Sequence, residues 1–218
     1  MLHYNTINAL LLNSLKRLMS SKELEHFRLV GGTALSLQLG HRVSIDIDLF
    51  SDLPYGSIDF MGIEKFLKKA FNYVDYFSLD NPAIGISFTI GYNKDETVKL
   101  DIYYTDEFIQ PYIIDDGIRM ATIEEIIAMK IDVLQRGGRK KDFWDLHMLL
   151  HNYSIDKMIE LHKIRYPYSH KKEDILSQFI NFKIADNDLD PICLRGNYWE
   201  FIKEDIVDTI IACRKIKR

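Results

Sequence analysis

The stretch SIDIDLFS, Ser44 to Ser51, alternates apolar and acidic residues with a period of two. Successive side chains of a strand point to opposite faces, so Ile45, Ile47 and Leu49 share one side and Asp46 and Asp48 the other. This pattern predicts a half-buried β-strand and excludes a helix, which would place Ile47 opposite Ile45 and Leu49. Carboxylates two residues apart on a strand have Cα atoms roughly 6–7 Å apart, and their repulsion is costly unless a cation or other partner sits between them.

The residues upstream suggest what that partner is. HFRLVGG reads as a short strand running into a glycine turn at Gly31 and Gly32. TALSLQLG then reads as a helix, with Thr33 as its cap and Gly40 as its end. Glycines let backbone N–H groups approach a phosphate closely, and the positive end of a helix points at the same place. Asp101, between Leu100 and Ile102 in VKLDIYY, is a third carboxylate interrupting an apolar strand. Mg²⁺ prefers oxygen ligands and is completed by substrate phosphates. Three carboxylates beside a cradle at Gly31 to Thr33 therefore point to two-ion phosphoryl chemistry, with Mg²⁺ as the cofactor and Mn²⁺ as its alternative. Singly, an Asp-x-Asp pair or a double glycine is most often structural; their order along one chain argues for a single site.

The 218 residues are 47% hydrophobic with a net charge of −4, so no global basic field draws in nucleic acid. An α+β protein is expected: a small mixed β-sheet with flanking helices over residues 1–118, followed by a helical C-terminal domain over 119–218. Within the first part, SIDFMGIEKFLKKAFNYV predicts a helix from about Ser57, with strands at YFSLD, AIGISFTIGYN and TVKLDIYY. In the second, Thr122 and Glu125 form a capping-box pattern ahead of IEEIIAMKIDVLQR, and Trp199, Ile202, Ile206, Ile210 and Cys213 line one helical stripe that has to be buried. Cys193 and Cys213 lack metal-ligand spacing, and no stretch reads as a signal peptide or membrane span. A cytoplasmic protein with reduced thiols and no membrane partner is expected.

GGTALSLQLGHRVSIDIDLF resembles the signature of the nucleotidyltransferase superfamily, in detail that of its AbiEii/AbiGii toxin branch. His41-Arg42 and Ser44 strengthen the match. TIEEIIAMKIDVLQRGGRKKDFWDLHMLL is similar to a later motif of that branch, Ala-x-Lys followed by Asp-x-x-Asp-Leu. The resemblance runs from about Phe27 to Leu150. It implies a metal-dependent enzyme that transfers a nucleoside monophosphate from a nucleoside triphosphate to an acceptor, RNA or tRNA in some relatives, as the toxin of a type IV-like toxin–antitoxin pair. It also implies that the helical domain completes the nucleotide site and that a cognate antitoxin is a partner. Carried onto this chain, the resemblance makes Asp46, Asp48 and Asp101 the metal ligands and catalytic carboxylates, with Asp101 taking the acceptor's proton. Lys130 becomes catalytic and phosphate-binding, and Gly31, Gly32, Thr33, Arg42, Ser44 and Asp145 complete the nucleotide contacts. Lys141 stands where the family often has arginine, which keeps the charge but loses the bidentate fork.

Among these residues, Lys130 is expected at the edge of a buried stripe, within reach of a phosphate. Asp142 and Asp145 share one face of the next helix, Asp142 as a helix-start carboxylate and Asp145 orienting Lys130 or touching nucleotide. The basic loop Arg136–Lys141 is either a phosphate or RNA contact or simply solvated. Two other classes stand beside the enzyme: a non-catalytic nucleotide- or partner-binding module on the same fold, and a metal-dependent glycosyltransferase. The glycosyltransferase lacks a reason for the glycine turn one helix upstream.

Overall fold

The computed structural model describes residues 1–76 and 84–215. Its contacts divide the chain into two compact units, Met1–Gly40 with Ser44–Thr122, and His41–Val43 with Ile123–Arg218.

The first unit is built on a seven-stranded mixed sheet in the order β3-β4-β5-β2-β1-β7-β6. The strands are β1 (Arg28–Leu29), β2 (Asp46–Ser51), β3 (Tyr73–Tyr76), β4 (Gly85–Asn93), β5 (Glu96–Tyr104), β6 (Ile113–Asp115) and β7 (Ile118–Met120). β2 lies between β1, antiparallel to it, and β5, parallel to it. A parallel pair needs a long crossover, and here helix α3 (Phe60–Ala70) with β3 and β4 supplies it. Along β2 the burial alternates: Ile47 and Leu49 are fully buried and their β5 partners Leu100 and Ile102 equally so, while Asp46 and Asp48 are half-exposed. Helix α1 (Ala9–Met19), capped by the Asn8 side chain accepting from the Leu11 N–H, packs against β2, β5 and β7 through a face that includes Leu11, Leu15 and Leu18. Helix α2 (Gly31–Leu39) ends at Gly40, whose φ of 64° is left-handed and suits glycine.

The helix expected from Ser57 is shorter than its sequence pattern. Asp59 caps α3 by accepting from the Gly62 N–H, and the helix stops at Ala70 because the aromatic and β-branched run that follows, Tyr73 to Tyr76, pairs with β4 instead. Apart from Tyr76, the strand expected at YFSLD lies outside the described residues.

The second unit contains helices α4 (Ile123–Gln135), α5 (Lys140–Leu150), α6 (Ile155–Arg165), α7 (Lys172–Gln178) and α8 (Trp199–Lys215), bringing the described residues to eight α-helices. α4 packs against α5, α6 and α7, and α8 against α5 and α6. The α8 stripe is buried as its spacing predicts at Trp199, Ile202, Ile206 and Ile210, while Cys213 is half-buried. Each fully buried isoleucine contributes about 1.5–3 kcal/mol. Trp199 stacks on Trp144 and meets Phe143 and Phe182 edge-on, which fixes α8 against α5. Among the described residues no helix is long and apolar enough to cross a membrane.

Candidate active site

Strand register assembles the carboxylates. Asp48 is the Cα partner of Asp101, and Asp46 of Lys99. In a parallel ladder paired residues project to the same side, so β2 and β5 place Asp46, Asp48, Asp101 and Lys99 on one face. Like charges directly opposite each other destabilise a sheet. Part of that cost is offset by Lys99, whose ammonium lies 2.5 Å from Asp101 Oδ2. Burial pulls the Lys99 pKa down, but Asp101 and then Asp48 and Asp46 outweigh it, and the net direction is up. The other oxygen of Asp101, Oδ1, is buried without a hydrogen-bond partner. Among the described residues no three His, Cys, Asp or Glu side chains form a ready-made metal cage. A hard cation that keeps waters and draws further ligands from phosphate still fits a face of carboxylates with an unsatisfied buried oxygen.

The glycine turn is packed directly on this face. The Val30 N–H donates to the Asp48 carbonyl (2.9 Å), so the start of α2 is tied to β2 beside the carboxylate. Val30 is the N-cap residue and offers no side-chain acceptor to the first turn. Gly31 has φ of 68°, and a Cβ there would stand 2.5 Å from Asp48 Oδ2. Gly31→Ala is therefore strained twice, by backbone and by collision. It is expected to lower stability by about 1–3 kcal/mol and to displace Asp48; a melting temperature within a degree of wild type would contradict this.

Thr33 does not cap the helix, because α2 begins two residues before it. Its hydroxyl lies 2.5 Å from the Asp46 carbonyl and 2.8 Å from the Ser44 hydroxyl. A carbonyl can only accept, so the single Thr33 proton goes to Asp46 and Ser44 donates to Thr33. Ser44 is in turn held by its own N–H, which donates to the Thr6 carbonyl. These two hydroxyls pin α2 to the strand that carries the aspartates.

In the helical unit, Asp145 on α5 is fully buried, and its carboxylate receives Arg42 Nε (2.6 Å), Arg42 Nη2 (2.8 Å) and His41 Nε2 (2.8 Å). Lys130 Nζ lies 2.7 Å from Asp145 Oδ2 and 2.6 Å from Asp142 Oδ1. The second Asp142 oxygen accepts from the Arg139 N–H at the start of α5 (3.0 Å). His41 bonds an acceptor through Nε2, so that nitrogen carries a proton, while Nδ1 is buried without a partner. Burial works against both charges at the centre. For Lys130 the aspartates outweigh it and the pKa is pushed up to about 12. For Asp145 the Arg42 and Lys130 charges outweigh burial and hold the carboxyl well below its usual range. Lys130, expected at the edge of a stripe, is instead buried inside this ion cluster.

The model of the nucleotidyl transferase AbiEii toxin family, of type IV toxin–antitoxin systems, matches residues 13–212. The chain belongs to that family. It is also similar to the uncharacterized protein aq_aa25 of Aquifex aeolicus, 27% identical over 88% of this chain and 89% of the relative. Two solved structures share its fold. One is a Helicobacter pylori protein described as a nucleotidyltransferase, at 22% identity and a TM-score of 0.57, covering 92% of this chain and 90% of the other. The second is MenT4, a nucleotidyltransferase toxin of Mycobacterium tuberculosis, at 12% identity and a TM-score of 0.53, covering 91% and 82%. This AbiEii protein is accordingly a nucleotidyltransferase of a toxin family whose members are paired with antitoxins.

The basic loop of this AbiEii chain is tied to acids of its own unit. Arg136 pairs with Asp132, Arg139 grips both oxygens of Asp188 at 3.0 Å, and Lys140 meets Asp190 at 2.8 Å and lies over the Trp199 ring. His147 Nε2 lies 2.8 Å from Asp205 Oδ2. Sequence reading passed over Lys99, although K-L-D alternation places it on the face of Asp101 by the same rule that paired Asp46 with Asp48.

Proposed function

We propose that this AbiEii-family protein is a metal-dependent enzyme of the cytoplasm that transfers a nucleoside monophosphate from a nucleoside triphosphate to an acceptor hydroxyl of RNA, such as tRNA. The reading rests on one observation above others: Asp48 paired in register with Asp101 while the start of α2 is bonded to Asp48. Asp46, Asp48 and Asp101 would hold Mg²⁺, which when bound supplies charge compensation to the triphosphate and the leaving pyrophosphate. The backbone N–H groups of Gly31, Gly32 and Thr33 bind phosphate oxygens, since the Thr33 hydroxyl is already committed to the strand. Asp101 accepts the proton as the acceptor oxygen bonds to the α-phosphorus and the bond to the β-phosphate breaks. Arg42, Lys130 and Asp145 form a buried charged cluster within the helical unit, with Asp145 bonded to both cations.

The test incubates the protein with Mg²⁺, total bacterial RNA and each α-labelled nucleoside triphosphate in turn, beside Asp101→Asn. Label is expected in RNA with the wild type, with one base preferred, and about a hundredfold less or lower still with the variant. Label entering protein instead would overturn the RNA acceptor. Absence of label from both would leave a nucleotide-binding module and end the catalytic reading.

A further inference from the structure

We propose that Lys99 is a positioning residue that acts as a built-in counter-ion, competing with the metal for the carboxylate face and weakening metal binding before substrate arrives. The inference rests on the metal-dependent reading above. β5 places Lys99 opposite Asp46 and two residues before Asp101, on the face they share with Asp48. Its ammonium is on Asp101 Oδ2, the carboxylate assigned to the proton transfer. Lys99 brings one positive charge to a face that carries three carboxylates. Without the lysine that face is more negative by one charge, and a dication is drawn in more strongly.

The contact is also built to be given up. The Lys99 side chain is 52% exposed, and an exposed lysine pair on a flexible stem is held by little energy. Asp101 Oδ1, buried without a partner, would be available to a bound dication, whose charge would oppose the ammonium on Oδ2. Asp101 is thus latched to its own lysine until a stronger cation arrives, which keeps the proton acceptor engaged while the site is idle.

Mn²⁺ alone, followed through the electron paramagnetic resonance of the free ion, reads this directly without any turnover. The variants are Lys99→Met, Lys99→Gln, Lys99→Arg and Asp48→Ala, each first checked by circular dichroism; Lys99 is exposed on its strand, and two neutral variants guard against one that misfolds. Met or Gln at this position is expected to bind Mn²⁺ about tenfold more tightly than wild type, an allowance for solvent screening of the lost charge. Arginine should restore wild-type affinity, which a loss of packing alone would not do. Asp48→Ala should remove the binding. Equal Mn²⁺ affinity in wild type and both neutral variants, with binding still lost in Asp48→Ala, would overturn the role of Lys99 and leave the metal site standing. Binding that ignores Asp48 in every variant would overturn the metal reading and this inference with it.

Discussion

Asp48→Ala is expected to lower nucleotidyl transfer by at least about a thousandfold while the protein melts no lower than wild type. The two halves of this result have separate causes. Asp48 stands between the start of α2, bonded to its carbonyl, and Asp101, its partner on β5. A carboxylate missing there removes charge from the point where phosphate and cation would meet, and leaves Asp46 and Asp101 as two carboxylates on a face that carries three. Stability moves the other way. Asp48 is half-exposed, opposite another carboxylate, and alanine there relieves a like-charge pair without opening the core formed by Ile47, Leu49, Leu100 and Ile102. The measurements are incorporation of labelled nucleotide and a thermal melt. Retained activity would remove Asp48 from the chemistry; a melting temperature lower by several degrees would mean that its role is structural.

The site legible in the sequence was the part governed by local periodicity. Period-two alternation placed Asp46 and Asp48 together, and the apolar residues on either side marked Asp101 as another exception on a strand. Their meeting depends on a parallel β2/β5 register across a crossover of more than forty residues, which no local pattern specifies. Thr33 shows the complementary limit. A hydroxyl after a glycine pair reads as a cap, but Gly31, free to adopt φ of 68°, starts the helix earlier and sends Thr33 to the strand. The second unit was legible as helices and as a buried α8 stripe. Its ion cluster was not, because it joins His41 and Arg42 to residues about a hundred positions later. A separation of 49 and 50 positions likewise hid the acids at Asp188 and Asp190 that answer the basic loop.

Asp145→Ala is expected to cost the helical unit about 3–5 kcal/mol, the penalty for leaving buried charge without its partner. Arg42, 3% exposed, loses both bonds of its fork, and Lys130 keeps only Asp142. Lys130→Met should cost less, about 1–3 kcal/mol, since Asp145 retains Arg42 and Asp142 retains the Arg139 N–H. The chain's two tryptophans, Trp144 and Trp199, both lie in this unit and stack on each other, so their fluorescence in a urea titration reports its unfolding. The pH dependence follows from the two shifted groups. Asp145 is depressed when folded, so its contribution is present above the unfolded carboxyl value, roughly 4, and is lost as pH falls below it. Lys130 is raised from 10.5 to about 12, so its contribution is complete below 10.5 and is lost as pH rises through about 12. Wild type should therefore exceed Asp145→Ala by a nearly constant margin from pH 5 to about 10 and lose that margin on acidification. A variant as stable as wild type at pH 7, or a gap that widens toward pH 3, would mean that Asp145 does not hold this cluster together.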